Sequence, residues 1–240
     1  MADLRIKDLV VEYASGQESV RPINHLSLEV PAGSLAILLG PSGCGKTTLL
    51  SCLGGILKPT AGRIEFGDVD VTALDARELS EYRRNTVGIV FQAFNLVPSL
   101  TALENVLVPL RAARIPKRQA HQRAEELLDR VGLAHRMSHR PGDLSGGQQQ
   151  RVAIARAFAA EPDLLVCDEI TSALDASVQG QVLDLLDTMC RRNGTSLLLI
   201  THDLAVIWRM AGRVIVMQGG RIVEAGATEQ VYGQPSSAYT

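Results

Sequence analysis

Aromatic residues are scarce in this sequence, where phenylalanine, tryptophan and tyrosine together make up 4% of 240 residues. A core must therefore be built mainly from leucine, valine, isoleucine and alanine. The length fits one large domain or two small ones, and the 46% of hydrophobic residues suffices for a substantial core. No apolar run approaches the roughly 20 residues that span a bilayer, and Met1 to Lys7 lacks the apolar centre of a signal peptide. We therefore expect a cytoplasmic protein whose role at a membrane, if any, depends on a partner.

Positive and negative charges are nearly balanced in the sequence. The formal net charge is -2, whereas dedicated nucleic-acid binders usually carry a basic surplus, so we expect no nucleic-acid partner. No cysteine pair has C-x-x-C spacing and no histidine cluster accompanies the cysteines, which are Cys44, Cys52, Cys167 and Cys190. Free thiols of a reducing compartment, without a structural metal, are the expectation.

Short β-rich runs alternate with helical stretches, a pattern typical of an α/β fold with a mostly parallel sheet. Helices are expected after the glycine-rich loop that begins at Gly40 and at about 146–160 and 176–192. Strands are predicted at Arg5–Val11, Leu26–Val30, Leu35–Leu39, Gly62–Phe66, Val87–Phe91, Leu164–Cys167, Ser196–Ile200, Val214–Met217 and Arg221–Glu224, the first two in an antiparallel part. Thr101 to Met137 is helical and strand-free in pattern, which predicts a helical subdomain at about 95–158 inserted into a core formed by 1–92 and 160–240.

A phosphate-binding loop is predicted after the buried strand Leu35–Leu39. The segment matches G-x-x-x-x-G-K-[ST] at every fixed position: Gly40, Pro41, Ser42, Gly43, Cys44, Gly45, Lys46 and Thr47. Glycines let successive backbone N–H groups point at a phosphate, and the following helix N-terminus adds its dipole. Lys46 can reach the β- and γ-phosphates, and the Thr47 hydroxyl can bind Mg²⁺. A chance match by a glycine-rich turn is the alternative, which the strand and helix context disfavours.

Two acids follow the buried strand at Leu164–Cys167. In an open α/β sheet ligands bind at the carboxyl ends of strands, which places Asp168 to hold Mg²⁺ and Glu169 to orient an attacking water. Taken alone, such a pair is often a solvated turn. Together with the phosphate loop it favours hydrolysis, because a small-molecule kinase needs no second acid here.

A second anion site is predicted where Leu144 precedes Ser145, Gly146, Gly147 and Gln148. Ser145 suits a helix N-cap, and two glycines expose backbone N–H groups at the helix start. An ordinary capped helix is the alternative for this segment in isolation.

These motifs, in this order, resemble the ATP-binding subunits of ABC transporters over nearly all of the chain. The remaining matches are Gln92 after a strand, Gln149-Gln150-Arg151, Ser172-Ala173-Leu174-Asp175 and His202 after a strand. The resemblance implies one P-loop NTPase domain with a RecA-like, mostly parallel sheet core, an antiparallel β part and an inserted α-helical subdomain. One departure is Ile170, where the family usually has proline, and it removes no catalytic group.

The resemblance also implies residue roles and partners. ATP and Mg²⁺ are the expected cofactors. Catalysis would involve Glu169, His202, Gln92 and Lys46. The ligands of Mg²⁺ would be Thr47, Gln92 and Asp168.

Tyr13 would stack on adenine, and Thr48 would contact the α-phosphate. Asp175 would lie at a dimer seam or cap the next helix. Ser145 to Gln148 would contact the γ-phosphate bound to a second copy, a homodimer being expected, and a separate integral membrane permease would be driven.

The two halves of the sequence resemble different subtypes of ABC transporter. Gly40 through Leu110 resembles the lipoprotein-releasing and macrolide-export type, notably over Phe91 to Val106. The C-terminal half, with Thr201 to Val206 and Ala238-Tyr239-Thr240, is similar to peptide-importer subunits. An export or lipoprotein-release system is expected, and a peptide-type importer or a non-transport ABC ATPase acting on DNA or ribosomes remains the alternative.

Overall fold

The computed structural model describes residues 2–15, 18–172, 174–210, 212–237 and 240. Ala173, of the motif that ends at Asp175, lies outside the described residues, as do Ala238 and Tyr239. The chain divides into two compact units, Met1–Ser80 with Ser196–Thr240, and Glu81–Thr195.

Strands and helices alternate through most of the chain. The strands are β1 (Leu4–Ser15), β2 (Glu18–Val30), β3 (Leu35–Leu39), β4 (Ala61–Phe66), β5 (Val69–Asp70), β6 (Val87–Val90), β7 (Leu164–Asp168), β8 (Ser196–Ile200), β9 (Arg213–Gln218) and β10 (Arg221–Ala227). The helices are α1 (Lys46–Leu53), α2 (Ala76–Asn85), α3 (Ala102–Ala112), α4 (Lys117–Arg130), α5 (Gly146–Ala157), α6 (Ala176–Asn193), α7 (Leu204–Met210) and α8 (Thr228–Gly233).

The first unit contains two runs of paired strands. An antiparallel sheet has the order β2-β1-β4-β5, and a second run has β3 parallel to both β8 and β9, with β10 antiparallel to β9. The centre of β3 is fully buried, and β8 is buried along its whole length. Parallel strands covered on both faces need such continuous apolar sequence. The phosphate loop therefore follows a strand whose centre is buried.

The second unit is mostly helical. β6 and β7 pair in parallel, with Val90 beside Cys167. α3 begins with a capping box, in which Thr101 Oγ1 accepts from Glu104 N while the Glu104 carboxylate accepts from Thr101 N. α4 buries Ala120, Ala124, Leu127 and Leu128, a spacing typical of an amphipathic helix. The predicted strand-free helical segment is confirmed.

The predicted strands are confirmed, with longer β1 and β2, and α5 ends at Ala157 rather than near Ala160. Helices α2, α7 and α8 were not predicted. α2 buries only Tyr82 and otherwise carries mainly charged and polar residues, so it shows no apolar stripe. All four cysteines are buried free thiols, as expected. Among the described residues, no helix is both long and apolar enough to cross a membrane.

Candidate nucleotide-binding site

The phosphate loop joins β3 to α1, as predicted. Gly45 adopts a left-handed backbone (φ 105°) immediately before the first helical residue. A Cβ atom on Gly45 would collide with the carbonyl oxygen of Pro22 and lie 2.9 Å from Cε of Met217. Only glycine fits this position without displacing backbone. The close approach of Gly45 to Pro22 and Met217 therefore fixes how the loop enters α1.

Lys46 lies inside the loop, with only 8% of its surface exposed. Its Nζ donates hydrogen bonds to the carbonyl oxygens of Gly40 (2.8 Å) and Pro41 (2.9 Å), and Cys44 Sγ is 3.8 Å away. A buried ammonium needs such partners because desolvation without them is costly. The arrangement concentrates positive charge where the loop's backbone donors are expected to face an anion.

His202 is the predicted site residue that the first unit brings to the start of this loop. A cavity of about 320 Å³ is lined by Leu39, Gly40, Pro41, His202, Val216, Tyr232 and Thr240. His202 follows β8 and is exposed. The predicted adenine-stacking residue, Tyr13, lies in β1 opposite Val20 of β2. Its side chain is 46% exposed, so its ring is available to a ligand.

In the second unit, Asp168 is the last residue of the fully buried strand β7 and is 8% exposed. Glu169 follows with a left-handed backbone (φ 45°), an uncommon conformation for a residue with a side chain. Such outliers cluster at functional sites, where the surrounding structure holds them in place.

A hydrogen-bonded turn connects Gln92 to the acidic residues. The N–H and the hydroxyl of Ser172 both donate to the Glu169 carbonyl, at 3.1 and 2.9 Å, and Gln92 Nε2 donates to Ser172 Oγ at 3.2 Å. The predicted catalytic residues Gln92 and Glu169 are therefore brought together through Ser172. Sequence reasoning assigned Ser172 no role of its own, although the motif containing it was recognised.

The predicted second anion site is a capped helix start. Ser145 Oγ accepts from Gln148 N (3.3 Å), and Ser145 N donates to Gln148 Oε1 (3.0 Å), which forms a capping box for α5. Gly146 and Gly147 are the first two helical residues, whose N–H groups have no partner within the helix. A Cβ on Gly147 would lie 2.5 Å from Val178 Cγ1 of α6, so this glycine also permits close helix packing. Asp175 precedes α6 and is exposed, but its side chain makes no capping hydrogen bond.

Two residues that sequence reasoning missed hold the segment after Gln92. The fully buried Asn105 accepts from Val97 N and donates to the carbonyl oxygens of Val97, Leu100 and Thr101. Arg156 donates to the carbonyl oxygens of Asn95 (2.6 Å) and Phe94 (3.1 Å), and burial lowers its pKa. Both lie in predicted helices, but nothing in the local pattern indicates their partners.

A loop of this kind between a buried strand and a helix, together with two acids where another buried strand ends, defines a P-loop nucleotide-binding domain. A family model described as ABC transporter matches residues 23–172, more than half of the chain. The chain belongs to the ABC transporter family of ATP-binding proteins, and its predicted fold class and family are confirmed.

Relatives and solved structures agree with this membership. An uncharacterized ABC transporter ATP-binding protein of Mycobacterium tuberculosis (strain ATCC 25618 / H37Rv) is 60% identical over 216 residues, which are 90% of this chain and 64% of that protein. A methionine import ATP-binding protein, MetN, of Rhodopseudomonas palustris (strain BisB5) is 48% identical over 218 residues, 91% of this chain and 58% of the relative. This chain thus spans less than two thirds of the length of either relative.

Among solved structures, a dimeric ATP-binding cassette, MJ0796, in a post-hydrolysis state bound to ADP and Pi superimposes with a TM-score of 0.87. Its sequence is 35% identical, and the match covers 94% of this chain and 98% of that one. The similarity extends over both units of the chain.

Proposed function

We propose that this chain binds ATP with Mg²⁺ and hydrolyses it, as a subunit that powers a separate membrane permease. The observation that carries the proposal is the phosphate loop, in which Gly45 admits the backbone turn and Lys46 is held among carbonyl oxygens. Backbone donors and a buried ammonium recognise phosphate oxygens. The apolar side chains of β3 provide no carboxylate that could compete with phosphate for these donors.

The residues present fit Mg²⁺-ATP. The hydroxyl of Thr47, the carboxylate of Asp168 and the amide oxygen of Gln92 are hard oxygen ligands, which Mg²⁺ prefers. Mg²⁺ would neutralise phosphate charge as the terminal phosphate is transferred to water. Glu169 would accept a proton from that water, and His202 would contact the γ-phosphate. Tyr13 would stack on the adenine, and Thr48 would contact the α-phosphate.

We propose further that two copies close around two ATP molecules. Ser145 to Gln148 of one copy would contact the γ-phosphate held by the phosphate loop of the other, with Asp175 at the seam. The dimeric state of the similar cassette, MJ0796, supports this arrangement. ATP would favour the closed dimer because its γ-phosphate makes charge-assisted bonds to both copies, and loss of that phosphate would reopen it.

The segment Phe94–Leu100 is our candidate for contact with the permease. None of its residues is fully buried, and Val97 is 40% exposed, so these apolar groups are available to a partner. Asn105 and Arg156 nevertheless hold its backbone in a defined shape. A shaped, exposed apolar segment that follows Gln92 directly can pass nucleotide-dependent movement to a partner.

We favour an export or lipoprotein-release system on the similarity of Gly40 through Leu110. An importer is the second candidate function, favoured by the 48% identity to the methionine import protein. In either case the membrane partner would keep this subunit at the inner face of the cell membrane, and substrate specificity would belong to the permease.

Replacing Lys46 by alanine tests the nucleotide site. Charge-assisted hydrogen bonds are worth about 1.5–3 kcal/mol, so Lys46→Ala should weaken ATP binding by roughly 10- to 100-fold in calorimetric titration. Lys117→Ala, at an exposed position that begins α4, is the matched control and should bind ATP as the wild type does. Unchanged ATP affinity in Lys46→Ala would contradict the proposed site.

A further inference from the structure

The phosphate loop is hydrogen-bonded to the turn that joins β9 to β10. This turn is the two-residue connection Gly219-Gly220, and both residues have left-handed backbones, with φ of 54° and 77°. Two-residue hairpin turns of this kind require positive φ at both positions, which glycine adopts readily. The N–H of Gly220 donates to the carbonyl oxygen of Cys44 at 3.2 Å. The turn therefore contacts the loop directly, through backbone atoms.

The other side of the same turn is held by β2. The N–H of Asn24 donates to the carbonyl oxygen of Gly220 at 2.9 Å. A Cβ atom on Gly220 would lie 2.8 Å from the carbonyl oxygen of Pro22 and 3.0 Å from Asn24 N, so backbone would have to move. A Cβ atom on Gly219 would meet no atom of the described residues within 4 Å. Gly220 is thus enclosed, while its neighbour has room for a side chain.

β2 also contacts the phosphate loop itself. The carbonyl oxygen of Pro22, which lies close to Gly220, is the atom with which a Cβ on Gly45 would collide. The peptide group that joins Cys44 to Gly45 is therefore held by backbone atoms from two other parts of the chain, the β9–β10 turn and β2.

The hydrogen bond from Gly220 sets the orientation of this peptide group. A trans peptide is planar, and its C=O and N–H groups point in opposite directions. Because the Cys44 carbonyl is turned toward Gly220, the Gly45 N–H points away from the turn, and among the described residues it has no hydrogen-bond partner. A donor that is already oriented gives tighter binding than one that must be ordered when the ligand arrives. The Gly45 N–H is thus prepared to donate to an anion.

We propose that Gly220 is a positioning residue for ATP binding, which holds the Cys44–Gly45 peptide so that the Gly45 N–H faces a phosphate oxygen. The inference rests on the proposed function and adds a residue, outside the phosphate loop, on which that site depends. Gly220 itself touches no nucleotide in this arrangement, and its effect passes through the Cys44 carbonyl. Displacing the turn should weaken ATP binding and leave the chemical step unchanged, because no reacting group is altered.

The experiment compares Gly220→Ala with Gly219→Ala, its matched control. Both substitutions place alanine at a positive φ, so they share that backbone strain, but only Gly220→Ala forces the turn away from β2. Loss of one oriented hydrogen bond should raise the Kd for ATP, measured by calorimetry, about 3- to 10-fold in Gly220→Ala. The KM for ATP should rise in parallel, with kcat at saturating ATP unchanged. Gly219→Ala should bind ATP as the wild type does.

NMR spectra of the glycine amides report on the peptide group directly. Saturation with Mg²⁺-ADP should shift the Gly45 amide resonance in the wild type and in Gly219→Ala, and should shift it clearly less in Gly220→Ala. A general loss of stability would not single out this resonance.

Asn24→Pro tests the same contact from the other side and leaves Gly220 in place. β2 lies at the edge of its sheet, where proline is tolerated, and the substitution removes the N–H that holds the turn. The affinity for ATP should again fall, by at least about twofold.

Three results would count against the inference. Equal Kd values in Gly220→Ala and Gly219→Ala, with a wild type that binds ATP, would overturn it and leave the proposed function standing. Wild-type affinity in Asn24→Pro would do the same, even where Gly220→Ala fails to fold. Weaker binding in Gly220→Ala with an equal fall in kcat and an unchanged Gly45 shift would show a general structural role and also overturn it. A wild type that binds no ATP would instead remove the proposed function, and this inference with it.

Discussion

At the scale of single residues, the four cysteines differ in what surrounds them. Burial raises the pKa of Cys52 and of Cys190 to about 12 and raises that of Cys167 strongly. These thiols stay neutral near pH 8 and are poor nucleophiles. Cys44 belongs to the phosphate loop, and its Sγ lies 3.8 Å from the Lys46 ammonium.

We therefore expect a maleimide to block ATP binding by modifying Cys44. The adduct would occupy space between Lys46 and the expected phosphate position, so binding should be lost in parallel with labelling, measured by mass spectrometry and titration. Cys44→Ser should keep ATP binding and resist the reagent. Equal labelling of Cys44 with and without saturating ATP would show that the thiol lies away from the nucleotide.

The local structure around the candidate site residues is predictable where it depends on one contiguous segment. Gly40 to Thr47 form one contiguous segment that ends in the first turn of α1, and Ser145 with Gln148 form one capping box, so the pattern alone indicates the local structure. The roles of Ser172, Asn105 and Arg156 could not be predicted. Their partners lie elsewhere in the chain or depend on how a turn closes, as with Gln92 Nε2 and Ser172 Oγ, which are 80 positions apart.

At the scale of elements, the approach of α5 to α6 depends on one of two adjacent glycines. A Cβ on Gly147 would lie 2.5 Å from Val178, whereas a Cβ on Gly146 would meet only ordinary contacts at 3.7 Å. Gly147→Ala should therefore destabilise the protein by about 1–3 kcal/mol, as overpacking does. Gly146→Ala, the matched control, should be neutral or slightly stabilising, since alanine is the better helix former.

Urea unfolding of the two variants measures this difference. Equal stability of Gly147→Ala and Gly146→Ala would mean that α6 moves away from α5 at little cost.

The connection between β6 and α3 depends on Asn105. Asn105→Leu removes four hydrogen bonds to backbone groups at residues 97–101 and leaves these groups to find other partners. We expect a loss of about 1–3 kcal/mol in the free energy of unfolding and faster amide exchange at residues 97–101.

Gln122→Leu is a suitable control, because within the described part of the chain the Gln122 side chain bonds to Glu126, one turn along α4. It should cost at most about 0.5 kcal/mol. Protection of residues 97–101 that survives in Asn105→Leu would show that Asn105 does not organise the segment.

The strands and helices were predicted correctly where burial produces a clear apolar pattern in the sequence. β3, β7 and β8 are continuous apolar runs, and α4 has a regular stripe. Prediction failed for α2, where helix formers surround one buried tyrosine, and for the full lengths of β1 and β2. β1 and β2 pair as an antiparallel hairpin. The parts of the two strands nearest their connection have little apolar alternation, so backbone pairing rather than burial sets the length of the strands.

At the scale of the whole molecule, the proposed mechanism requires two copies of the chain. The phosphate loop and the Ser145 to Gln148 segment both suit a phosphate, and the family's arrangement unites them only across a dimer. Glu169→Gln should keep every group that binds ATP and lose the general base, so hydrolysis should fall by about 100-fold or more. ATP-bound dimers should then accumulate.

The most direct test is the mass in solution of Glu169→Gln, measured by light scattering with Mg²⁺-ATP and with Mg²⁺-ADP. The account predicts a dimer that retains two ATP molecules in the first case and a monomer in the second. A chain that stays monomeric with bound ATP, while the wild type hydrolyses ATP at a rate per molecule independent of dilution, would contradict it.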